Sequence, residues 1–325
     1  RSFGDALAGA ADEARKSGDL RTARSRLELA IRVQPYSPYL RGALVEVLLD
    51  ARSYQAAAEV LAAAREAVEE GPEGEGWAEL EELEERLAVL RSETDEESGA
   101  PVLHTEFVGR TGEFSALASA WRRTPAKGAR LALVLGAPGV GKTRLVQELL
   151  ALVRSGSSPA VAVKAVEAER GLRWGTASEL VRGLHALPGA AGISNRSASV
   201  LARLVPSLGG FREEPRGGGG GAVEAAAVTD ALLDLVSAVA DEAPLLLFVD
   251  DLQWVDRESR AMLSHLARNL DREPVLLLIT CRTGEGDPEV AKALNSLTRL
   301  DGTESIQLAP LGPQEISELL ALLLD

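Results

Sequence analysis

Apolar positions along the chain keep two different rhythms, and the change falls near residue 101. Over the first 70 residues they recur at helical spacing among alanines, which predicts packed helices with one apolar stripe each. From residue 102 onward, short runs of leucine and β-branched residues alternate with helical stretches. The runs lie at 131–135, 161–166, 245–249, 275–280 and 306–308. Five buried parallel strands are the simplest account of these runs. Strands alternating with helices predict an α/β domain around a five-stranded parallel sheet.

The N-terminal helices repeat. Leu20, Ala23, Leu27 and Ala30 recur as Tyr54, Ala57, Leu61 and Ala64, each displaced by 34 positions. That period, with small residues where two helices approach, is the signature of a tetratricopeptide hairpin, and a plain bundle of Ala-rich helices is the alternative. Gly18 and Asp19 make the first turn and Pro35 closes the second helix, whereas Arg52, Ser53 and Glu69 take the corresponding places in the second repeat. A Gly/Pro/Glu turn at 70–76 and an acidic helix at 77–91 follow. The charged, Ser/Gly/Pro-containing stretch 92–101 reads as a linker. The expected division is therefore a tetratricopeptide-like helical domain at 1–91, the linker, and an α/β domain at 102–325. Within the latter, the glycine run 217–221 reads as a surface loop, because no strand precedes it and no Lys-Ser or Lys-Thr follows.

Charge narrows the classes. The net charge is −14, and residues 1–100 carry −10 of it (22 Asp and Glu against 12 Arg and Lys). Such a surface repels phosphate backbones, so DNA contact is expected only through a module outside this chain. The one cysteine, Cys281, has no disulfide partner, and His104, His185 and His265 are too far apart in sequence to read as a metal site. Without a long apolar run or leader pattern, a cytoplasmic location and no membrane partner are expected.

The run at 131–135 leads into Gly136, Ala137, Pro138, Gly139, Val140, Gly141, Lys142 and Thr143, then into a helical stretch from Arg144. This is GxxxxGK[ST], the Walker A pattern, in its strand–loop–helix setting. Such glycines let backbone N–H groups converge on one point, where the helix N-terminus completes an anion cradle. The predicted cofactors are ATP or ADP with Mg²⁺. Their predicted contacts are Gly136, Pro138, Gly139, Val140, Gly141, Lys142, Thr143 and Arg144, with Lys142 on the β- and γ-phosphates and Thr143 on the metal. The run at 245–249 ends in Asp250 and Asp251, at the edge where parallel sheets present ligand groups. Asp250 is assigned to Mg²⁺ through water and Asp251 to orienting the attacking water; capping a helix is the alternative for such a pair. The run at 275–280 brings Arg282 to the same edge, where a guanidinium can sense a γ-phosphate. Lys142, Asp251 and Arg282 are thus the candidate catalytic residues of a slow Mg²⁺-dependent ATPase, and Cys281 is assigned to packing.

At these residues the chain resembles the ATPase domain of STAND proteins, the signal-transduction ATPases with numerous domains. The resemblance runs from Phe107 to the C-terminus. It is carried by Phe107, Val108, Gly109 and Arg110, by the P-loop, by the string DDLQWVD at 250–256, by Thr280 to Arg282, and by Leu308 to Leu311. DDLQWVD is similar to the string of large LuxR-type regulators and antibiotic regulatory activators. The resemblance implies a sheet order of 5-1-4-3-2 and a base-pocket role for Val108 and Arg110. The helical region resembles the tetratricopeptide-like domain preceding such ATPases, and a lid or winged-helix subdomain is implied beyond residue 325. The leading expectation is a nucleotide-operated switch within a bacterial transcriptional regulator. Protein partners would bind the helical repeats and self-assembly would accompany the ATP state. A motor or loader working on a protein partner, and a nucleotide-bound scaffold, are the other classes that fit.

Overall fold

A computed structural model describes residues 3–35, 37–69, 80–88, 108–206, 225–270, 272–284 and 287–324. The expected 70–76 turn, the linker 92–101, Phe107 and the glycine run 217–221 lie outside the described residues. The chain separates into two compact units, Arg1–Ala100 with Leu184–Glu242, and Pro101–Gly183 with Ala243–Asp325. Among the described residues no helix is long and apolar enough to cross a membrane.

The first unit is helical. Helices α1 (Phe3–Ser17), α2 (Leu20–Val33), α3 (Pro38–Asp50) and α4 (Tyr54–Glu69) follow one another, each packed on the next, and residues 80–88 form α5. At the α1–α2 turn Gly18 takes φ +81° and Asp19 caps α2, accepting a 3.0 Å bond from the Thr22 amide. Pro38 opens α3 behind the capping Ser37, a position where the missing N–H costs nothing. The repeat positions do what small residues at helix crossings do. Ala23, Ala30, Ala57 and Ala64 are wholly buried, Leu27 and Leu61 nearly so, and Leu20 and Tyr54 flank the same core. At the second turn Arg52 occupies the left-handed region, φ +55°, where the first turn has glycine.

Helices α9 (Asn195–Leu204) and α10 (Ala225–Ala240) belong to this unit and pack together. Gly189 N–H donates to Ala51 O at 3.2 Å, and Arg21 of α2 pairs with Asp234 of α10. Burial alone would push the Asp234 carboxyl up. Hydrogen bonds from Ser197 and Ser194 and the Arg21 charge outweigh it and hold the group below the ordinary value.

The second unit is a P-loop α/β fold with a five-stranded, wholly parallel sheet in the order β2-β3-β4-β1-β5. This is the 5-1-4-3-2 order read from the other edge. Its strands are β1 (Arg130–Gly136), β2 (Ala160–Lys164), β3 (Leu245–Asp250), β4 (Val275–Arg282) and β5 (Glu304–Leu308). The helices of this unit are α6 (Thr111–Lys127), α7 (Lys142–Ser155), the bulk of α8 (Gly175–His185), α11 (Arg257–Asn269), α12 (Pro288–Thr298) and α13 (Pro313–Leu324). Leu117 of α6 and Leu145, Val146 and Leu149 of α7 close one core over Val134, Phe248, Leu278 and Ile306.

The central strands β3 and β4 are buried almost throughout, hence their continuous apolar runs. The edge strand β5 begins two residues before the 306–308 run, because it alternates exposed and buried positions and Glu304 and Ser305 carry no apolar signal. At the other edge β2 stops at Lys164, short of the expected 166. Ala165 leaves the strand ladder but still donates to Asp250 O at 3.1 Å.

Candidate nucleotide-binding site

Parallel strands share one C-terminal edge, and here it carries Gly136, Lys164, Asp250, Arg282 and Leu308. Registers of Gly136 with Arg282 and Gly136 with Leu308 put the start of the P-loop between β4 and β5. The loop must turn sharply there. A Cβ on Gly136 would lie 2.9 Å from Leu308 O and from Val140 Cγ1, and Gly141 precedes α7 at φ +94°. Helix α7 therefore begins at Lys142 with its first amides turned toward the loop, the arrangement that receives an anion.

Lys142 is buried, and its Nζ donates to Gly136 O at 3.0 Å and Ala137 O at 2.9 Å. Burial pushes its pKa below the ordinary lysine value; the charges of Asp251 and Asp250 oppose this, and Arg282 adds to it. The Thr143 hydroxyl donates to Asp250 Oδ2 at 3.0 Å. Asp250 is itself buried, and its Oδ1 accepts a 2.5 Å bond from the Thr280 hydroxyl on the neighbouring strand β4. Thr280 in turn accepts from the Asp251 amide at 2.8 Å. One neutral side chain thus links both acidic residues.

Asp251 leaves the strand at φ +62°, in the left-handed region that few L-residues other than Asp and Asn enter readily. Its Oδ1 accepts from Gln253 Nε2 at 2.8 Å and lies 3.5 Å from Arg282 Nε. The Arg282 guanidinium lies 5.8 Å from the centre of the Trp254 ring, within cation–π range. The structure therefore brings Lys142, Thr143, Asp250, Asp251 and Arg282 into one connected group.

Other sequence-predicted residues lie outside that group. Arg144 pairs with Glu148 one turn along α7, and Pro138 is exposed on the loop. Arg110, at φ +56°, donates from Nη2 to Val140 O at 2.7 Å and to Ala309 O at 2.8 Å, and pairs with Glu113 at 3.6 Å. It braces the P-loop against the segment after β5. Val108 is half-buried beside it in sequence. Cys281 is buried, in keeping with packing.

Residues without an expected role also hold the site. Thr280 and Gln253 carry it as described. Asp256 is buried at the start of α11, where it caps the Ser259 amide at 2.9 Å and accepts from the Trp174 and Thr176 amides at 3.0 and 3.3 Å. That fixes the start of α8 to the end of the DDLQWVD string.

The donor set suits a magnesium nucleotide. A hydroxyl and a carboxylate offer hard oxygens 3.0 Å apart, and a lysine with glycine-turned amides offers the cationic and dipolar surface a polyphosphate needs. A parallel sheet with a glycine loop, Lys-Thr at a helix start and acidic residues at the end of another strand defines a P-loop nucleotide-binding domain. The AAA ATPase domain family matches residues 106–279, more than half of the chain, and the chain belongs to that family.

Among individual relatives, an uncharacterised protein of Rhizobium meliloti (strain 1021) is 27% identical over 192 residues, covering 54% of this chain and 18% of its own length. The chain thus spans under a fifth of that relative. Similar solved structures include Cdc6p from Pyrobaculum aerophilum (15% identity, TM-score 0.43, covering 69% of this chain and 51% of that one). A STAND protein with a tetratricopeptide repeat sensor from Pyrococcus horikoshii is also similar (16% identity, TM-score 0.37, covering 69% and 26%).

Proposed function

We propose that this chain is the nucleotide-operated switch of a regulatory protein, binding ATP or ADP with Mg²⁺ and hydrolysing ATP slowly. The observation that carries the reading is the bond from Thr143 to Asp250, which joins the P-loop to the acidic end of β3. Bound Mg²⁺·ATP supplies the phosphoryl group to be transferred and the metal charge that offsets its oxygens. Lys142 would give its two carbonyl partners up for phosphate oxygens. Thr143 and Asp250, the latter fixed by Thr280, would hold the metal, Asp250 through water. Asp251 would orient the attacking water, and Arg282 would turn from Asp251 to the γ-phosphate. Val108 and Arg110 are assigned to the base pocket by the family resemblance; Arg110 itself donates to Val140 O of the P-loop.

Arg282 approaches Asp251 Oδ1 at 3.5 Å, so a γ-phosphate would compete with Asp251 for the guanidinium, and that coupling favours a switch over a motor. By the scale of unassisted switch NTPases, turnover should be on the order of 10⁻² s⁻¹ or less. The helical unit is assigned to protein partners as a tetratricopeptide-like domain, supported by the equivalent burial of its 34-residue repeat positions. Self-assembly in the ATP state and an output in transcription complete the proposal. Calorimetry with Mg²⁺·ATP tests the phosphate assignment: wild type should bind and Lys142→Ala should not, and equal affinity in both would remove it. Rapid, partner-independent turnover would favour the motor reading instead.

A further inference from the structure

Gln253 is buried in the short turn after β3 and has both ends of its amide occupied. Its Oε1 accepts the Arg282 backbone N–H at 3.1 Å, and its Nε2 donates to Asp251 Oδ1 at 2.8 Å. These partners leave the amide one orientation. A backbone N–H can only donate and a carboxylate can only accept, so a flipped Gln253 would face both with the wrong atom. The strand β4 backbone thereby dictates that a donor points at Asp251. The bond from Gln253 falls on Asp251 Oδ1, as does the 3.5 Å approach of Arg282 Nε, so Oδ2 is the oxygen turned to other uses.

Arg282 divides its duties between its main chain and its side chain. The amide is fixed in β4 beside Gly136, while the guanidinium lies over Trp254 and 3.5 Å from Asp251 Oδ1. When the guanidinium turns to a γ-phosphate, the Gln253 bond remains on Oδ1, and its mount does not move with the arginine side chain. We propose that Gln253 is a positioning residue for hydrolysis, its amide holding Asp251 from the Arg282 backbone so that Oδ2 is offered to the attacking water. This rests on the assignment of Asp251 as the water-orienting group.

Three variants of the full chain test it, with ATP and Mg²⁺ as the probe, by nucleotide affinity and single-turnover hydrolysis. Gln253→Met keeps the length and removes both polar ends. Misplacing a catalytic group by an ångström costs about 10²-fold, so its turnover should fall by about that factor with ATP affinity unchanged. Gln253→Glu keeps the acceptor for the Arg282 amide but removes the donor that faces Asp251, so its turnover should fall as in Gln253→Met, again with ATP affinity unchanged.

Asp251→Asn separates the two claims. If it is slow while Gln253→Met hydrolyses at the wild-type rate, the Gln253 role is wrong and the Asp251 assignment stands. If Asp251→Asn itself hydrolyses at the wild-type rate, both fall. Loss of ATP affinity in Gln253→Met matching its loss of turnover, or wild-type turnover in Gln253→Glu, would reduce Gln253 to a structural role and overturn the proposal.

Discussion

Thr280 shows what one neutral side chain can decide. Its hydroxyl donates to Asp250 and accepts from the amide of Asp251, the residue held at φ +62°. Thr280→Val keeps the shape and removes both bonds, leaving a buried acceptor and a backbone N–H short of a partner. A loss of about 1–3 kcal/mol in unfolding free energy is expected, read by denaturant titration; an unchanged midpoint would contradict it. Lys142 carries the pH prediction. Its pKa is depressed, chiefly by burial, and phosphate binding requires its charged form. ATP affinity should therefore hold through neutral pH and weaken as pH rises through the depressed value, before the ordinary lysine value of about 10.4. Calorimetry across that range checks it, and constant affinity up to about pH 10 would contradict it. Charged residues of this site were legible in the sequence because GxxxxGK[ST] and strand-terminal carboxylates have recognisable spacing. Thr280 and Gln253 lie inside the strings that carry the resemblance, but their roles were not legible there, because they arise from strand neighbours that sequence order does not reveal.

At the scale of elements, the two helical turns make a natural comparison. Gly18 and Arg52 both take positive φ, and each is followed by an amide bonded back into the preceding helix, Asp19 to Ala14 O at 2.9 Å and Ser53 to Leu48 O at 2.7 Å. A left-handed L-residue costs about 1–2 kcal/mol, and glycine gives back about half of that through the greater freedom of its unfolded chain. Arg52 is exposed and forfeits no core packing. Arg52→Gly should therefore stabilise the chain by about 0.5–1 kcal/mol in denaturant unfolding, and a destabilised variant would contradict the turn account. The departure from the repeat was visible in the sequence, but its conformation was not. Strands follow the same logic: β3 and β4 announced themselves by burial on both faces, whereas half of β5 stayed silent because an edge strand alternates.

For the whole molecule, hydrophobic runs supplied the number of strands and the parallel class, but their order required the family resemblance. Runs of similar composition can be permuted in a sheet without changing the pattern along the chain. Nor did periodicity reveal that Leu184–Glu242 groups with the N-terminal helices. That grouping depends on long-range contacts such as Arg21 with Asp234, which leave no local trace.

The central claim is a division of labour at the edge of the sheet, with Asp250 serving binding and Asp251 serving turnover. Single-turnover hydrolysis measured beside Mg²⁺·ATP affinity in Asp250→Asn and Asp251→Asn tests it most directly. The account predicts that Asp250→Asn weakens metal-dependent binding, while Asp251→Asn binds as wild type and hydrolyses on the order of 10²-fold more slowly. Equal loss of binding in both variants, or wild-type hydrolysis in Asp251→Asn, would contradict it.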